Sequence, residues 1–265
     1  MERRNMYFYY RPDPSKTEKL ETLFELAKRY DFNVVTDPTI ANIIISVGDD
    51  GTFLEAVRRT GFKQDNLYVG ISTTGSLSIY CDFLLEDTST MIEAMTTKQI
   101  EVRRYPLLEA TVDKEGTFLC LNEFTIRSGI IKTFVIDVFI DNFHFETFRG
   151  DGMVVSTPTG STAYSKSLNG AVVDPTLPCI QVSELASLNT NRYRTLGSSF
   201  LLGENRKLTL KVVQDGNDHP TMGLDNDAMS VKNVHSIDLK VSEQKIKTVK
   251  LKDNSFWHKV KRSFL

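Results

Sequence analysis

The chain has 265 residues, 40 % of them apolar and 25 % charged, enough to fill two modest cores or one large one. A net charge of −2 excludes a broad electrostatic footprint for nucleic acid, and no stretch nears the roughly 20 apolar residues of a membrane span. Cys81, Cys120 and Cys179 are odd in number, far apart and form no CxxC pair, so neither a disulfide framework nor a cysteine zinc site is indicated and three small buried hydrophobes are expected.

The opening "MERRNMYFYYRPDPS" carries an apolar run too short for a signal peptide, so the expected location is cytoplasmic. "NMYFYY" reads as a strand that "RPDPS" breaks, with Ser15 placed to cap the helix that follows. In that helix Leu20, Leu23, Phe24, Ala27 and Tyr30 recur at helical spacing. "IANIIISV" is a buried strand, "TFLEAVRRT" a short helix, "NLYVGIS" a further strand, and "DTSTMIEAMTTK" a helix with a hydroxyl-rich start. Strands alternating with helices predict a parallel sheet covered on both faces.

Near Glu101 the texture changes to short alternating runs, among them "IEVRRYPLLEATVD", "TFLCLNEFTIRS", "KTFVIDVFI" and "FHFETF". Asp141-Asn142 lies between two of these as a hairpin turn. "KLTLKVVQD", "SIDLKVSEQ" and "KIKTVKLKD" extend the β pattern, while "STAYSKSLNGAVV" and "VSELASLN" read as helical or loop-like. The closing "WHKVKRSFL" reads as a terminal helix whose lysines form a solvated face. The expected fold is an α/β N-terminal domain with a parallel sheet, followed by a β-rich C-terminal domain.

Three segments carry candidate chemistry. "GDDGT" joins a buried strand to a helix, the place where backbone N–H groups point at anions, yet it holds two carboxylates, Asp49 and Asp50. It has neither the Walker pattern nor GxGxxG, and a helix-capping aspartate is its plain structural reading. "GDGMVVSTPTGSTAY" gathers glycines and hydroxyls at a helix start, where small side chains admit a ligand and donors meet it. "LNEF" sets Asn122 and Glu123 in a strand, where neighbours face opposite sides and one of the pair can face solvent.

Together these segments resemble the NAD kinase family. "GDDGT" is similar to its glycine-aspartate loop, Asn122-Glu123 to its Asn-Glu motif, and "GDGMVVSTPTGSTAY" to its long signature, with a likeness across essentially the whole chain. The resemblance implies an ATP-binding domain at 1–100 rejoined by the tail 253–265, and a NAD-binding domain at 101–252. It implies transfer of the γ-phosphoryl group of ATP to the adenosine-ribose 2′-hydroxyl of NAD, with a divalent metal such as Mg²⁺, in a homodimer or homotetramer. Small-molecule nucleotides are the partners, with no nucleic acid and no membrane.

The resemblance also assigns roles. Asp50 is the catalytic carboxylate that accepts the hydroxyl proton, and Gly48, Asp49, Gly51 and Thr52 form the phosphate loop, with Gly51 and Thr52 offering backbone donors. Asn122 and Glu123 hold the adenosine and ribose portions of NAD, Thr159, Thr162, Ala163 and Tyr164 line the dinucleotide pocket, and Asp151 and Ser167 reach its nicotinamide half. Ala186 walls the pocket, His219 on a turn approaches the ligand's phosphates, and Asp225 stands where the family often has Asp-Gly near the site. Two departures stand out. Asp49 replaces a glycine, which would strain the backbone by roughly 1–2 kcal/mol if the position needed positive φ. Ser78 and Ile79 replace a Gly-Phe step bordering the site. A nucleotide-sensing paralogue with little kinase activity, and a lipid or sugar kinase of the same superfamily, are the competing readings; only the kinase and the sensor explain the long signature.

Overall fold

The computed structural model describes residues 4–216 and 219–265, in two compact units formed by Met1–Tyr105 with Lys245–Leu265 and by Pro106–Gln244. In the first unit, β1 (Asn5–Tyr10), α1 (Thr17–Arg29), β2 (Asn33–Val35), β3 (Ile43–Gly48), α2 (Asp50–Arg59), β4 (Leu67–Ser72), β5 (Cys81–Leu84) and α3 (Thr88–Thr96) follow in order. The strands run in the order β2-β1-β3-β4-β5, all parallel, and the end of the strand Ser236–Leu251 joins beside β4. Alternation in β3 sends Ile43, Ile45 and Val47 into one cluster with Leu20, Leu23 and Ala27 of α1 and Ala94 of α3. Tyr68 points to the other face, where Phe53 of α2 lies 4.9 Å from the parallel ring of Tyr80 and meets Tyr68 edge-on. Helices therefore cover both faces, as the alternating pattern predicts.

In the second unit, one sheet is antiparallel in the order Phe200–Gly203, Cys179–Leu185, Gly152–Ser156, Glu123–Arg127, Thr221–Leu224, Asp227–Ser230. The other strands, including the antiparallel pair Phe134–Ile140 and Phe143–Gly150, send their apolar faces into the same core, with Phe134, Ile136, Phe148, Val155 and Leu210 deeply buried. Asp141 and Asn142 have φ of 49° and 72°, the left-handed pair a two-residue hairpin turn needs.

Three local expectations are corrected. Ser15 caps nothing: Asp13 caps the short 3-10 turn Pro14–Lys16 by accepting from the Ser15 N–H, and α1 begins at Thr17 without a side-chain cap. Residues 179–185 are a strand, because Ile180, Val182 and Leu185 fill the core, so the first half of "VSELASLN" is neither helical nor loop, while 186–189 are loop-like as expected. The terminal helix Phe256–Phe264 forms, but Lys259 on it is buried rather than solvated. Of the cysteines, Cys81 and Cys120 are buried and Cys179 half-buried, all with free thiols.

Candidate active site

The parallel sheet sets the first site. β3 is buried along its whole length and ends at Gly48, and α2 starts two residues later. A Cβ on Gly48 would lie 2.3 Å from Thr52 Oγ1, so the turn closes only on glycine. Asp49 is the N-cap: its Oδ1 accepts from the Thr52 N–H and from Thr52 Oγ1, each at 2.8 Å. These bonds hold the Asp49 carboxyl below its usual range. Its φ of −101° is extended backbone, so no left-handed strain arises where aspartate stands for glycine. The Thr52 N–H, expected to meet phosphate, is taken by this cap.

Asp50 is turned the other way. Its Oδ1 accepts from Ser78 Oγ at 2.5 Å and the Tyr80 N–H at 2.9 Å, and its Oδ2 accepts from the Ile79 N–H at 3.2 Å. The two residues that replace the Gly-Phe step therefore hold the carboxylate expected to act as base. The adjacent carboxylates divide into one helix cap and one group oriented by donors.

A cleft of about 420 Å³ opens beside this loop, lined by Gly48, Asp49 and Thr52 together with Arg11, Lys16 and Thr73. Arg11 pairs with Glu55 at 3.1 Å and Lys16 with Asp13 at 2.9 Å. The sequence reading missed both cations. The signal was the sheet order: Tyr10 pairs with Val47, so the loop after β1 and the "GDDGT" loop leave the same carboxyl edge.

The second site lies in the β-rich unit, at the end of its six-stranded sheet where Ser156 pairs with Glu123. Asp225, at φ 54°, accepts from the backbone N–H groups of Leu121, Asn122 and Glu123 at 3.0, 2.7 and 3.2 Å. The Thr157 N–H donates to the Asn122 carbonyl at 2.8 Å. A Cβ on Gly160 would lie 2.1 Å from that same carbonyl oxygen, so glycine lets the signature loop lie flat on Asn122. The Tyr164 N–H donates to the Glu123 carboxyl. Asn122, Glu123, Thr159, Thr162, Ala163, Tyr164 and Asp225 are thus brought to one place. Asn122 and Glu123 are both 8 % exposed, so neither faces solvent as the strand alternation allowed. Burial, with the Asp225 carboxylate second, pushes Glu123 up to about 8.

The signature hydroxyls largely serve the loop itself. Thr157 and Thr159 donate to the Leu121 carbonyl at 2.6 and 3.2 Å, and Ser161 donates to the Pro158 carbonyl while accepting from the Val173 N–H. Thr162, Ala163 and Tyr164 are the half-buried members.

Asp151, Ala186 and His219 fall at the opposite end of this sheet. Gly152 pairs with both Arg127 and Leu185, Thr221 pairs with Arg127, and all three residues are exposed there. Ala186 has φ 45°, and Gly129 packs against the His219 carbonyl. Four strand steps separate the ends, on the order of 13 Å. Ser167 ends the short helix Tyr164–Ser167 and is exposed. Among the described residues no three His, Cys, Asp or Glu side chains gather as metal ligands.

Residues 121–251 match the family model described as the ATP-NAD kinase C-terminal domain. The chain is 62 % identical over 264 residues to NAD kinase 2 of Bacillus subtilis (strain 168), covering 100 % of this chain and 99 % of that one. It is 58 % identical over 265 residues to NAD kinase 2 of Geobacillus kaustophilus (strain HTA426), with the same coverage. Among solved structures, an NAD kinase from Archaeoglobus fulgidus in complex with ATP superposes with a TM-score of 0.77 at 21 % identity, covering 97 % of this chain and 98 % of that one. A yeast NADH kinase complexed with NADH gives 0.77 at 19 %, covering 98 % and 87 %. At such identities the two structures speak for the fold.

Proposed function

The chain belongs to the NAD kinase family, and from that premise we propose that it transfers the γ-phosphoryl group of ATP to the adenosine-ribose 2′-hydroxyl of NAD, giving NADP. The observation that carries this reading is the full-length identity with curated NAD kinases. A secondary hydroxyl is a weak nucleophile, and a positioned carboxylate that takes its proton as the bond to phosphorus forms raises the rate. Asp50 has that role: its carboxylate is ordered by three donors at the start of α2. Arg11 and Lys16, lining the cleft with Gly48 and Asp49, offset the charge of the triphosphate. Asn122 and Glu123 take the adenosine and ribose portions of NAD, the loop Thr159–Tyr164 lines the dinucleotide pocket, and Asp151, Ser167 and Ala186 take the nicotinamide side; His219, which shares the sheet end of Asp151, belongs with that side rather than with the phosphates.

The donor set suits Mg²⁺ that arrives on phosphates, since magnesium needs only one or two carboxylates beside its waters and nucleotide oxygens. When bound it would neutralise charge on the β- and γ-phosphates. The ATP-binding part is the α/β unit with the tail, and the NAD-binding part is the β-rich unit. The protein works in the cytoplasm as a homodimer or homotetramer; the exposed pair Phe143 and Phe145 offers apolar area for self-association. NADP formation from NAD, ATP and Mg²⁺ by the purified protein tests the reading. Tight NAD binding without turnover would replace it with the sensor alternative.

Asp49 is exposed and ionised at the edge of the phosphate cleft. Two charges about 4 Å apart repel by ~1 kcal/mol at the dielectric of water. Asp49→Asn keeps a capping oxygen for Thr52 and removes the charge, so KM for ATP falls about fivefold at low salt. Titrating KCl to 1 M erases the gain by screening. A KM that rises in Asp49→Asn would mean the carboxylate assists nucleotide binding.

A further inference from the structure

Behind Asp50 lies a buried charge cluster that the reaction as described does not use. Lys250, near the end of the strand Ser236–Leu251, and Lys259, on the terminal helix, are 0 % and 1 % exposed, and Asp82 between them is 1 % exposed. Lys259 donates to Asp82, and Lys250 lies 3.3 Å from the same oxygen. The tail is pinned further by Arg103, which donates to the carbonyls of Asn254 and Leu251 at 3.0 and 3.2 Å.

Both ammonium groups also reach the backbone that holds Asp50. Lys259 Nζ donates to the Ile79 carbonyl at 2.9 Å, and the N–H of that same peptide unit, on Tyr80, donates to Asp50. Lys250 Nζ donates to the Tyr80 carbonyl at 2.5 Å. The N–H of that next peptide unit, on Cys81, donates to Ser78 Oγ at 3.3 Å, and Ser78 Oγ donates in turn to Asp50. Two successive peptide units thus each carry a cation at the carbonyl end, with Asp50 beyond the N–H end. A cation at the oxygen polarises the amide and strengthens its N–H as a donor, and chains of such bonds reinforce one another in a dry interior.

We propose that Lys259, Lys250 and Ser78 are positioning residues that fix the Asp50 carboxylate through these two peptide units, so that the C-terminal tail is part of the catalytic machinery. The proposal rests on Asp50 as proton acceptor. It explains why serine stands where the family resemblance has glycine: the hydroxyl links the second peptide unit to the carboxylate, which glycine cannot do. It also explains why two lysines are buried against one carboxylate, an arrangement poor for stability alone, since like charges oppose each other there. Burial, with Lys250 next, pushes Lys259 down to about 7, so it carries its full charge only below neutral pH and above that donates to the Ile79 carbonyl as an amine. Removing Lys259 leaves Asp82 paired with Lys250 at 3.3 Å, and Lys259→Met is expected to fold.

The test is steady-state kinetics of NADP formation by the full chain carrying Lys259→Met, Ser78→Ala or Ser78→Thr, each alone and combined with Asp50→Asn. Lys259→Met and Ser78→Ala lower kcat about tenfold with KM for ATP and NAD unchanged, and Ser78→Thr, which keeps the hydroxyl, restores most of it. In the Asp50→Asn background, followed by NADP accumulated at high enzyme concentration, each second change costs less than about twofold. A loss carried by KM, losses that multiply with Asp50→Asn, or an unchanged kcat in Ser78→Ala overturns the relay. Wild-type turnover by Asp50→Asn sinks the general-base reading instead, which separates the two failures. Should Lys259→Met not fold, the Ser78 pair decides alone.

Discussion

Replacing Asp50 by asparagine lowers kcat for NADP formation by about 10²–10⁴-fold while KM for ATP and for NAD stays within about threefold. The substitution keeps the shape of the side chain and one oxygen. That oxygen can still accept from Ser78 Oγ and the Tyr80 N–H, which both meet Oδ1 in the wild type. The amide nitrogen then faces the Ile79 N–H that Oδ2 now accepts, leaving two donors opposed. That mismatch costs about 1–3 kcal/mol of stability, far short of unfolding a chain of this size. What disappears is the group that takes the proton, so the loss appears in the chemical step. Initial rates across a matrix of ATP and NAD concentrations, with thermal melting as a control for folding, decide the matter. Turnover within a few-fold of wild type would remove Asp50 from the role of base.

The fold was legible where burial and period coincide. Ile43–Ile45 in a fully buried strand, and Leu20, Leu23 and Ala27 on one helix face, follow from pattern alone because nothing competes with packing there. Of "VSELASLN", residues 186–189 are loop as one of its two readings has it, and only 182–185 depart into a strand, because the segment mixes apolar and small polar residues at a spacing both periods accommodate. What decided it was the core beneath Ile180 and Val182. The site was legible in outline, through a long signature whose glycines answer identifiable contacts, such as Gly160 on the Asn122 carbonyl.

The division of labour inside the site was not legible. A buried threonine that serves its own loop and one that meets a ligand have the same letter, and Thr157 and Thr159 turn to the Leu121 carbonyl. Asp49 and Asp50 differ by one position and point to unrelated partners, because the first precedes the helix and the second belongs to it. Lys259 sits in a basic tail where solvation is the ordinary outcome, and its partner Asp82 is 177 residues away. Arg11 entered the cleft only once β1 was placed beside β3. Apart from the local cap at Asp49, each of these depends on a long-range pairing that local pattern does not encode.

Glu123 gives the second large effect, a pH-dependent one. Its carboxyl is buried, its Oε2 has no hydrogen-bond partner, and Asp225 lies close by, so its pKa rises from 4.5 to about 8. In the unfolded chain the group ionises near 4.5, so between 4.5 and 8 the unfolded state binds fewer protons than the native one. Stability from this group is therefore unimpaired below 4.5, falls as pH rises toward 8, and stays at its lowest above that. The accumulated penalty at pH 7 is on the order of 2–4 kcal/mol. Glu123→Gln imitates the protonated carboxyl and never ionises. It is expected to melt about 5–10 °C above wild type between pH 7 and 9. The two proteins should nearly converge as pH falls to 4.5, where the native carboxyl is protonated and the unfolded one half protonated, and converge fully below it. Calorimetric melts at pH 4.5, 6, 7 and 9 without nucleotide measure the divergence. A gap that is constant with pH, or one favouring the wild type at pH 9, would mean that Glu123 stands ionised in the folded protein, with the Tyr164 N–H outweighing burial and Asp225.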